Sequence, residues 1–290
     1  MQPFDYIKPK TLEEASRFLA EHPTEARLFQ GGTDLLIRIE GKFIRPRYVV
    51  DVKGLDGMRE IAYDEKGLTI GAAATMNQVA DAPEVQRRYP ILAESAASVG
   101  SYQLRNRATL GGNLCNASPA ADTAPALLVL EAEALIFGPR GRRTVPLTEF
   151  FLGPGKTVLE PGEILTAVHV PPPPPGSVGR YLKLGRTRIG DIAVVGVAVF
   201  GYPDPGRPSG TAWRIALGAV APTPIRAPRA EAILAEATDE AAIEAAALAA
   251  METARPIDDI RASAAYRRAM VRVLTRRGVN EVLGSLTPKA

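Results

Sequence analysis

The most informative stretch of this chain is Thr109-Leu-Gly-Gly-Asn-Leu-Cys-Asn-Ala-Ser-Pro-Ala-Ala-Asp-Thr-Ala-Pro125, which runs into the apolar segment Ala126 to Leu130. Gly, Asn, Ala and Ser dominate it. Small side chains leave room for a bulky ligand, Asn113 can both donate and accept, and Asp122 can take a hydrogen bond from a sugar hydroxyl. A second stretch of the same character is Leu28-Phe-Gln-Gly-Gly-Thr-Asp-Leu35, entered by a short predicted strand from Arg27 to Gln30. Glycines after a strand permit positive φ and expose consecutive N–H groups as an anion-binding nest, to which Thr33 adds a hydroxyl donor. Taken alone, Gly31-Gly32 reads as a tight turn with Asp34 capping the next segment. Two such loops in one unit, one suited to phosphate and one to a larger polar ligand, point to a nucleotide-type cofactor site.

Competing motifs fail on inspection. No Gly-x-Gly-x-x-Gly occurs, so the dinucleotide fingerprint of a doubly wound fold is missing. Gly155-Lys156-Thr157 imitates the end of a P-loop, but the glycine needed at position 150 is Phe150, and Gly153 to Thr157 reads as a surface turn. His22 beside Pro23 and His169 in a predicted strand, Glu163 to Val170, lack any Ser or Cys in a nucleophile-elbow context. Cys115 reads as a small packing residue. No catalytic side chain and no metal ligand set is expected.

Working outward, Thr11-Leu-Glu-Glu14 is a capping-box pattern followed by Leu12, Ala15, Phe18 and Leu19 on one helical face. Tyr48 to Val52 predicts a buried strand, Ile61 to Tyr63 with Leu68 to Gly71 a hairpin, and Ile91 to Val99 a small-residue helix after the capping box Thr75-Met-Asn-Gln78. Mixed short elements argue for an α+β unit rather than a regularly alternating parallel sheet. Pro171 to Pro175 reads as a stiff connector. Beyond it, Arg180 to Leu184, Ile192 to Phe200 and Trp213 to Val220 are predicted strands, and the Ala-rich chain from Arg229 is predicted helical. The last helix, about Ser263 to Arg277, is expected to bury Tyr266, Met270, Val273 and Leu274 and expose its arginines. The boundaries expected are 1–175, in two parts at about 1–56 and 57–175, and 176–290.

The composition sets limits. At ~150 residues per domain, 290 residues allow about two domains with ample core. One Cys and two His cannot build a structural zinc site or hold an iron–sulfur cluster, so redox chemistry here needs an organic cofactor or a partner chain. The lone thiol excludes an internal disulfide framework and suits a reducing cytoplasm. With 35 basic against 32 acidic side chains, the net charge of +3 is too small to argue for nucleic acid. No uninterrupted apolar run approaches the ~18 residues of a membrane-spanning helix.

Gln30-Gly-Gly-Thr-Asp-Leu-Leu36, Arg105-Asn-Arg-Ala-Thr-Leu-Gly-Gly-Asn-Leu114 and Ala117-Ser-Pro-Ala-Ala-Asp122 together resemble the FAD-binding medium subunit of molybdenum hydroxylases, the xanthine dehydrogenase and carbon monoxide dehydrogenase family. Glu163-Ile-Leu165 and Tyr181-Leu-Lys-Leu-Gly-Arg186 leading to Asp191 extend the resemblance over essentially the whole chain. It implies an α+β fold: a two-lobed FAD-binding domain of the vanillyl-alcohol-oxidase (PCMH) type, then a smaller C-terminal α+β domain of sheet and helices. By the same resemblance Leu28, Phe29, Gln30, Gly31, Gly32, Thr33, Asp34 and Leu35 would wrap the pyrophosphate of FAD. Thr109, Leu110, Gly111, Gly112 and Asn113 would line the adjoining side, Asp122 would hydrogen-bond the cofactor, Leu165 would pack on it and Lys183 would lie near the flavin. Arg186 to Asp191 would face the isoalloxazine edge.

The resemblance also implies partners: a large subunit with the molybdenum cofactor and a small subunit with two 2Fe–2S clusters, in a cytoplasmic dimer of heterotrimers. Electrons would enter FAD from those clusters and leave to NAD, quinone or oxygen, which suits a flavin because it accepts electrons singly and releases a pair. Carbon monoxide dehydrogenases tend to carry His-Ser after the first glycine pair where this chain has Thr33-Asp34, which moves the expectation towards purine, nicotinate, aldehyde or other aromatic substrates. A flavoprotein working alone and a non-redox nucleotide-binding module are the alternative readings.

Overall fold

In the computed structural model, which describes residues 3–187 and 189–286, the Thr11 hydroxyl accepts from the Glu14 amide at 3.2 Å and opens the helix Leu12–Glu21. The box is only half closed. Glu14 reaches back to the amide of Lys10, at 2.7 Å, rather than to that of Thr11. At Thr75 the reciprocal pair with Gln78 is complete and starts the helix Met76–Asp81.

The first lobe is a three-stranded sheet in which Tyr48–Asp51 runs between Asp5–Ile7 and Ala26–Phe29. All its strands are parallel and alternate with the helices Leu12–Glu21 and Leu35–Glu40. Taken by itself this lobe therefore does alternate; its strands of three or four residues are too short for the pattern to stand out in sequence. Val49 and Val50, 1% and 0% exposed, are its centre, each worth about 2 kcal/mol of burial.

The second lobe is an antiparallel sheet in the order Ile61–Asp64, Gly67–Gly71, Ile164–Val170, Glu133–Gly138, Gly141–Pro146. Between its second and third strands in sequence lie the helices that carry the second glycine loop, from Met76–Asp81 to Thr123–Val129. A bulge at Thr166 shifts the register between Ile164–Val170 and Glu133–Gly138. The Thr166 hydroxyl donates to the Leu135 carbonyl and its own carbonyl accepts from the Ala72 amide, so the bulge is satisfied on both sides.

The proline run lies between Ile164–Val170 and Val178–Leu184, and the buried Tyr89 hydroxyl donates to the carbonyls of Val170 and Pro171 at its start. Val178–Leu184, Val195–Pro203, Thr211–Gly218 and Ile225–Arg226 then form an antiparallel meander. Val195, Val197 and Val199 face the helices Pro228–Glu236, Glu240–Thr253 and Ala264–Leu286, while Ala198 and Phe200 join the core of the preceding lobe. Period-2 alternation thus packs one strand against two cores. The α+β architecture expected from sequence is the one observed.

The last helix corrects the sequence reading. Its buried face is Arg267, Val271, Leu274, Thr275, Gly278, Val279 and Val282, while Tyr266 and Val273 are 48% and 42% exposed. The phase is turned because Arg267, expected outside, is buried with its guanidinium donating to the carbonyls of Val194 and Ala219 and to Asp259. Gly278 permits the close approach, since a Cβ there would lie 2.8 Å from a Val199 methyl.

Candidate functional site

Gly32 has φ +76°, and the turn it makes presents the amides of Gly31, Gly32, Thr33 and Asp34 with no protein acceptor among the described residues. Unpaired consecutive amides at a strand-to-helix turn are the chemistry of a phosphate nest. The turn is held from behind. A Cβ on Gly31 would stand 2.1 Å from the Arg107 carbonyl oxygen, so only glycine lets the backbones touch.

Residue 107 leads into the second glycine loop. Buried Thr109 caps the short helix Leu110–Cys115 by accepting from the Gly112 amide at 3.1 Å, and its hydroxyl donates to the Gln30 side-chain oxygen at 3.1 Å. The two glycine loops are therefore one structure, stitched by Gly31 against Arg107 and Gln30 against Thr109. Leu110 and Gly111 are buried in this seam, where the amides of Leu110 and Gly111 donate to the carbonyls of Ala74 and Ala72. Their part is to fix the loop.

A cleft of about 510 Å³ opens over this surface, lined among others by Leu28, Gln30 to Leu35, Thr109, Gly112, Asn113 and Leu165. On the other side of the turn a second cleft of about 580 Å³ shares Gln30 to Thr33 and Thr109 and is walled by Phe29. Asn113 accepts from the Thr123 hydroxyl at 2.7 Å, while its side-chain N–H groups have no protein acceptor among the described residues and remain available to a ligand. Gly155 also lines the cleft, its amide held by the Ala117 carbonyl at 3.0 Å. From sequence, Gly153 to Thr157 reads only as a surface turn. Cys115 lines the cleft as well, and burial pushes its thiol up to about 12, which leaves it protonated and unreactive near neutrality.

Asp122 and Lys183 come together elsewhere, behind the wall of that cleft. Their carboxylate and ammonium lie 2.8 Å apart, and the Tyr181 hydroxyl donates to the other Asp122 oxygen at 2.9 Å. Lys183 also donates to the Ser98 carbonyl at 2.9 Å, beside Val99 in the cleft wall. On the opposite flank Thr123, next to Asp122, is bonded to Asn113. Burial raises the Asp122 pKa, and Lys183 and Tyr181 pull it back. Burial, then the carboxylate, holds the Tyr181 hydroxyl well above its usual range. Sequence reasoning assigns Tyr181 no role of its own; its place two residues before Lys183 on a strand puts both side chains on one face.

The loop Arg186 to Asp191 is organised by Asp191, whose carboxylate accepts from the amides of Arg186, Thr187 and Ile192; Arg188 lies outside the described residues. These bonds explain why the next strand starts at Val195 rather than at the expected Ile192. His22 stacks between Phe18 and Tyr48, and His169 sits beside Thr69; neither lines the clefts at the glycine loops. Among the described residues no helix is long and apolar enough to cross a membrane.

Unpaired amides, an apolar wall at Leu28 and Leu165, and a donor amide at Asn113 make a chemically consistent cradle for a dinucleotide such as FAD. Comparison with known proteins agrees. Residues 2–173 match the family described as the FAD binding domain in molybdopterin dehydrogenase, and residues 180–282 match the CO dehydrogenase flavoprotein C-terminal domain. A putative xanthine dehydrogenase FAD-binding subunit of Escherichia coli is 37% identical over 97% of this chain and 96% of its own. The carbon monoxide dehydrogenase medium chain of Hydrogenophaga pseudoflava is 36% identical over 96% of each. A solved structure of the carbon monoxide dehydrogenase of that organism superposes with a TM-score of 0.93 at 36% identity, covering 98% of this chain and 99% of the other. Quinoline 2-oxidoreductase from Pseudomonas putida superposes with a TM-score of 0.91 at 32% identity, covering 99% of each chain.

Proposed function

Because this chain belongs to the family of FAD-binding subunits of molybdenum hydroxylases, we propose that it is the electron-transferring stage of a heteromeric, cytoplasmic complex. It takes electrons from the 2Fe–2S clusters of a small partner subunit, downstream of a large subunit with the molybdenum cofactor, and passes them to NAD, a quinone or oxygen. The assembly proposed is a dimer of heterotrimers. The first family range ends within the proline run and the second begins after it, which supports a division into residues 1–175 and 176–290.

Bound FAD supplies the redox chemistry, because a flavin takes up electrons one at a time and yields two. The chain binds and shields it. The amides of Gly31 to Asp34 would donate to the pyrophosphate, with the Thr33 hydroxyl beside them, and Asn113 would donate from the facing loop. Leu28 and Leu165 would pack on the rings, and Leu35 would start the helix that closes the turn. The buried Asp122, held by Tyr181 and Lys183, keeps a fixed acceptor and a fixed cation behind that wall in place of mobile water. No side-chain nucleophile is needed.

The observation that carries the reading is the run of unpaired amides at the Gly32 turn, joined through Gln30 and Thr109 to the second glycine loop. The purified chain should be yellow, or take up added FAD stoichiometrically, and should co-purify with molybdenum and iron–sulfur subunits when these are co-expressed. A colourless protein that leaves the fluorescence of added FAD unchanged would refute the cofactor assignment. Rapid turnover of a small substrate by this chain alone would refute the subunit role.

A further inference from the structure

Away from the cofactor clefts, a cavity of about 280 Å³ lies between the extended segment 254–263 and the loops around Pro119, Pro154 and Pro222. It is below the ~300–1,000 Å³ that small-molecule and cofactor sites usually occupy and is the size for one or two apolar side chains. Its wall is rigid. Four prolines line it, Pro256 among them, and the segment is pinned where the Arg255 amide donates to the Val220 carbonyl at 2.7 Å. Asp259 fixes the rest by accepting from the amides of Arg261 and Ala262 at 2.8 and 3.2 Å.

On this pinned frame Ile192 and Ile257 line the cavity while 49% and 74% exposed, and Ile260, three residues on, is 90% exposed. A rigid concavity edged by exposed isoleucines is the signature of a covered surface. Its charge is unbalanced. Three guanidiniums, those of Arg255, Arg261 and Arg267, line it with the single carboxylate of Asp259. Asp259 is shared by Arg261 at 3.0 Å and Arg267 at 2.7 Å. Arg255 donates only to the carbonyls of Glu252 and Ala254 and has no carboxylate partner among the described residues. Buried Arg267 keeps one nitrogen, Nε, without a partner. Asp258 does not line the cavity; its carboxylate accepts from the Ala264 amide at the start of the last helix.

We propose that this groove docks an acidic segment of a partner polypeptide, with an apolar side chain seated between Ile192 and Ile257 and a carboxylate on Arg255. The occupant follows from the charge: a lining with two more guanidiniums than carboxylates, at an apolar pocket, selects a negatively charged, apolar-tipped strand or loop over a second copy of this basic face. The proposal rests on the reading of this chain as one subunit of a complex and adds where a partner seats.

The test uses the full chain co-expressed with its molybdenum and iron–sulfur subunits, comparing wild type with Ile257→Asp and Arg255→Glu, both exposed positions that line neither cofactor cleft. Each variant is expected to melt and retain FAD as wild type does, yet to associate with its partners at least about tenfold more weakly. Wild-type association should also weaken as salt is raised. Unchanged association in both variants overturns the docking surface while leaving the subunit reading standing. A wild-type chain that holds FAD but joins no subunit overturns the subunit reading itself, and this proposal with it. A homodimer of the isolated chain that either variant disperses overturns the acidic partner in favour of a second copy.

Discussion

Replacing Lys183 with methionine should convert a quiet buried ion pair into a pH-dependent liability. Methionine keeps the length and apolar bulk of the lysine stem while removing the ammonium 2.8 Å from Asp122. Asp122, 6% exposed, is left with the Tyr181 hydroxyl alone. Burial already raises its pKa, and Lys183 is the larger of the two influences opposing that rise, so the variant pKa moves up further. An acid whose folded pKa lies above its unfolded value binds more protons when folded. Its stabilising effect is full at low pH and is lost as pH rises through the interval between the two values. Breaking a buried pair from one side costs about 3–5 kcal/mol, and at about 2.1 cal/mol/K of unfolding entropy per residue a chain of 290 residues loses about 1.6 °C per kcal/mol. The Lys183→Met variant should therefore melt about 5–8 °C below wild type at about pH 8 and close most of that gap at about pH 5.

Thermal melts of FAD-free protein across that range, followed by far-UV circular dichroism, read the effect directly. The double variant Lys183→Met/Asp122→Asn supplies the control, because an amide accepts from Tyr181 without carrying charge. It should recover most of the lost stability at the higher pH and show no excess pH dependence. Equal destabilisation of Lys183→Met at every pH would refute the reasoning, as would a double variant as unstable as the single one at about pH 8.

Gly32→Ala forces a left-handed backbone on a residue with a Cβ, at about 1–2 kcal/mol, and puts that Cβ 2.4 Å from the Phe29 ring; the variant should fold but release FAD on gel filtration, read as loss of flavin absorbance. Thr109→Val removes both the helix cap at Gly112 and the bond to Gln30, each about 1 kcal/mol; a fluorescence titration should show FAD affinity lower by about fivefold or more, and unchanged affinity would show that the stitch between loops is dispensable. Cys115, with its thiol pushed up to about 12, should resist iodoacetamide at neutral pH for hours in the native protein and react only on unfolding, as mass spectrometry would show.

Features are legible in a sequence where they leave a local mark. Glycine and small residues are conspicuous where backbones meet, so both glycine loops, and with them a nucleotide-type cofactor site, are legible in the residues themselves, while FAD follows from the family resemblance. The links between them are not. Gln30 to Thr109 spans 79 positions and Tyr181 to Asp122 spans 59, and nothing local to Gln30 or Tyr181 announces a partner so far away. Gly155 is the exposed turn that the sequence predicts, but its bond to the Ala117 carbonyl, which brings it to the cleft, belongs to another loop and leaves no local mark. The last helix shows the opposite failure. A 3.6-residue period with abundant arginine suggests every arginine faces water, yet one guanidinium supplied with two carbonyls and a carboxylate can be buried at Arg267 and turn the whole helix.

The position of Tyr181 and Lys183 changes what the C-terminal unit is for. Both lie on Val178–Leu184, beyond the proline run, while the carboxylate they hold belongs to the second glycine loop. The join around that loop is tight. The Ala219 amide donates to the Pro119 carbonyl at 2.7 Å, and Arg214 and Arg226 donate to the carbonyls of Val129 and Leu128 at 3.2 and 3.3 Å. A Cβ on Gly218 would stand 2.9 Å from Pro125, and one on Gly179 3.0 Å from Ile91. Interfaces this close cannot slide without separating, so the Asp122 cluster is either fully assembled or lost. A fragment ending at the proline run would keep the glycine nest but leave Asp122 without either of its partners. Its FAD, if held at all, should be held by the pyrophosphate end alone, with flavin fluorescence less quenched than in the intact chain; equal quenching in the two would show that the second unit takes no part in the site.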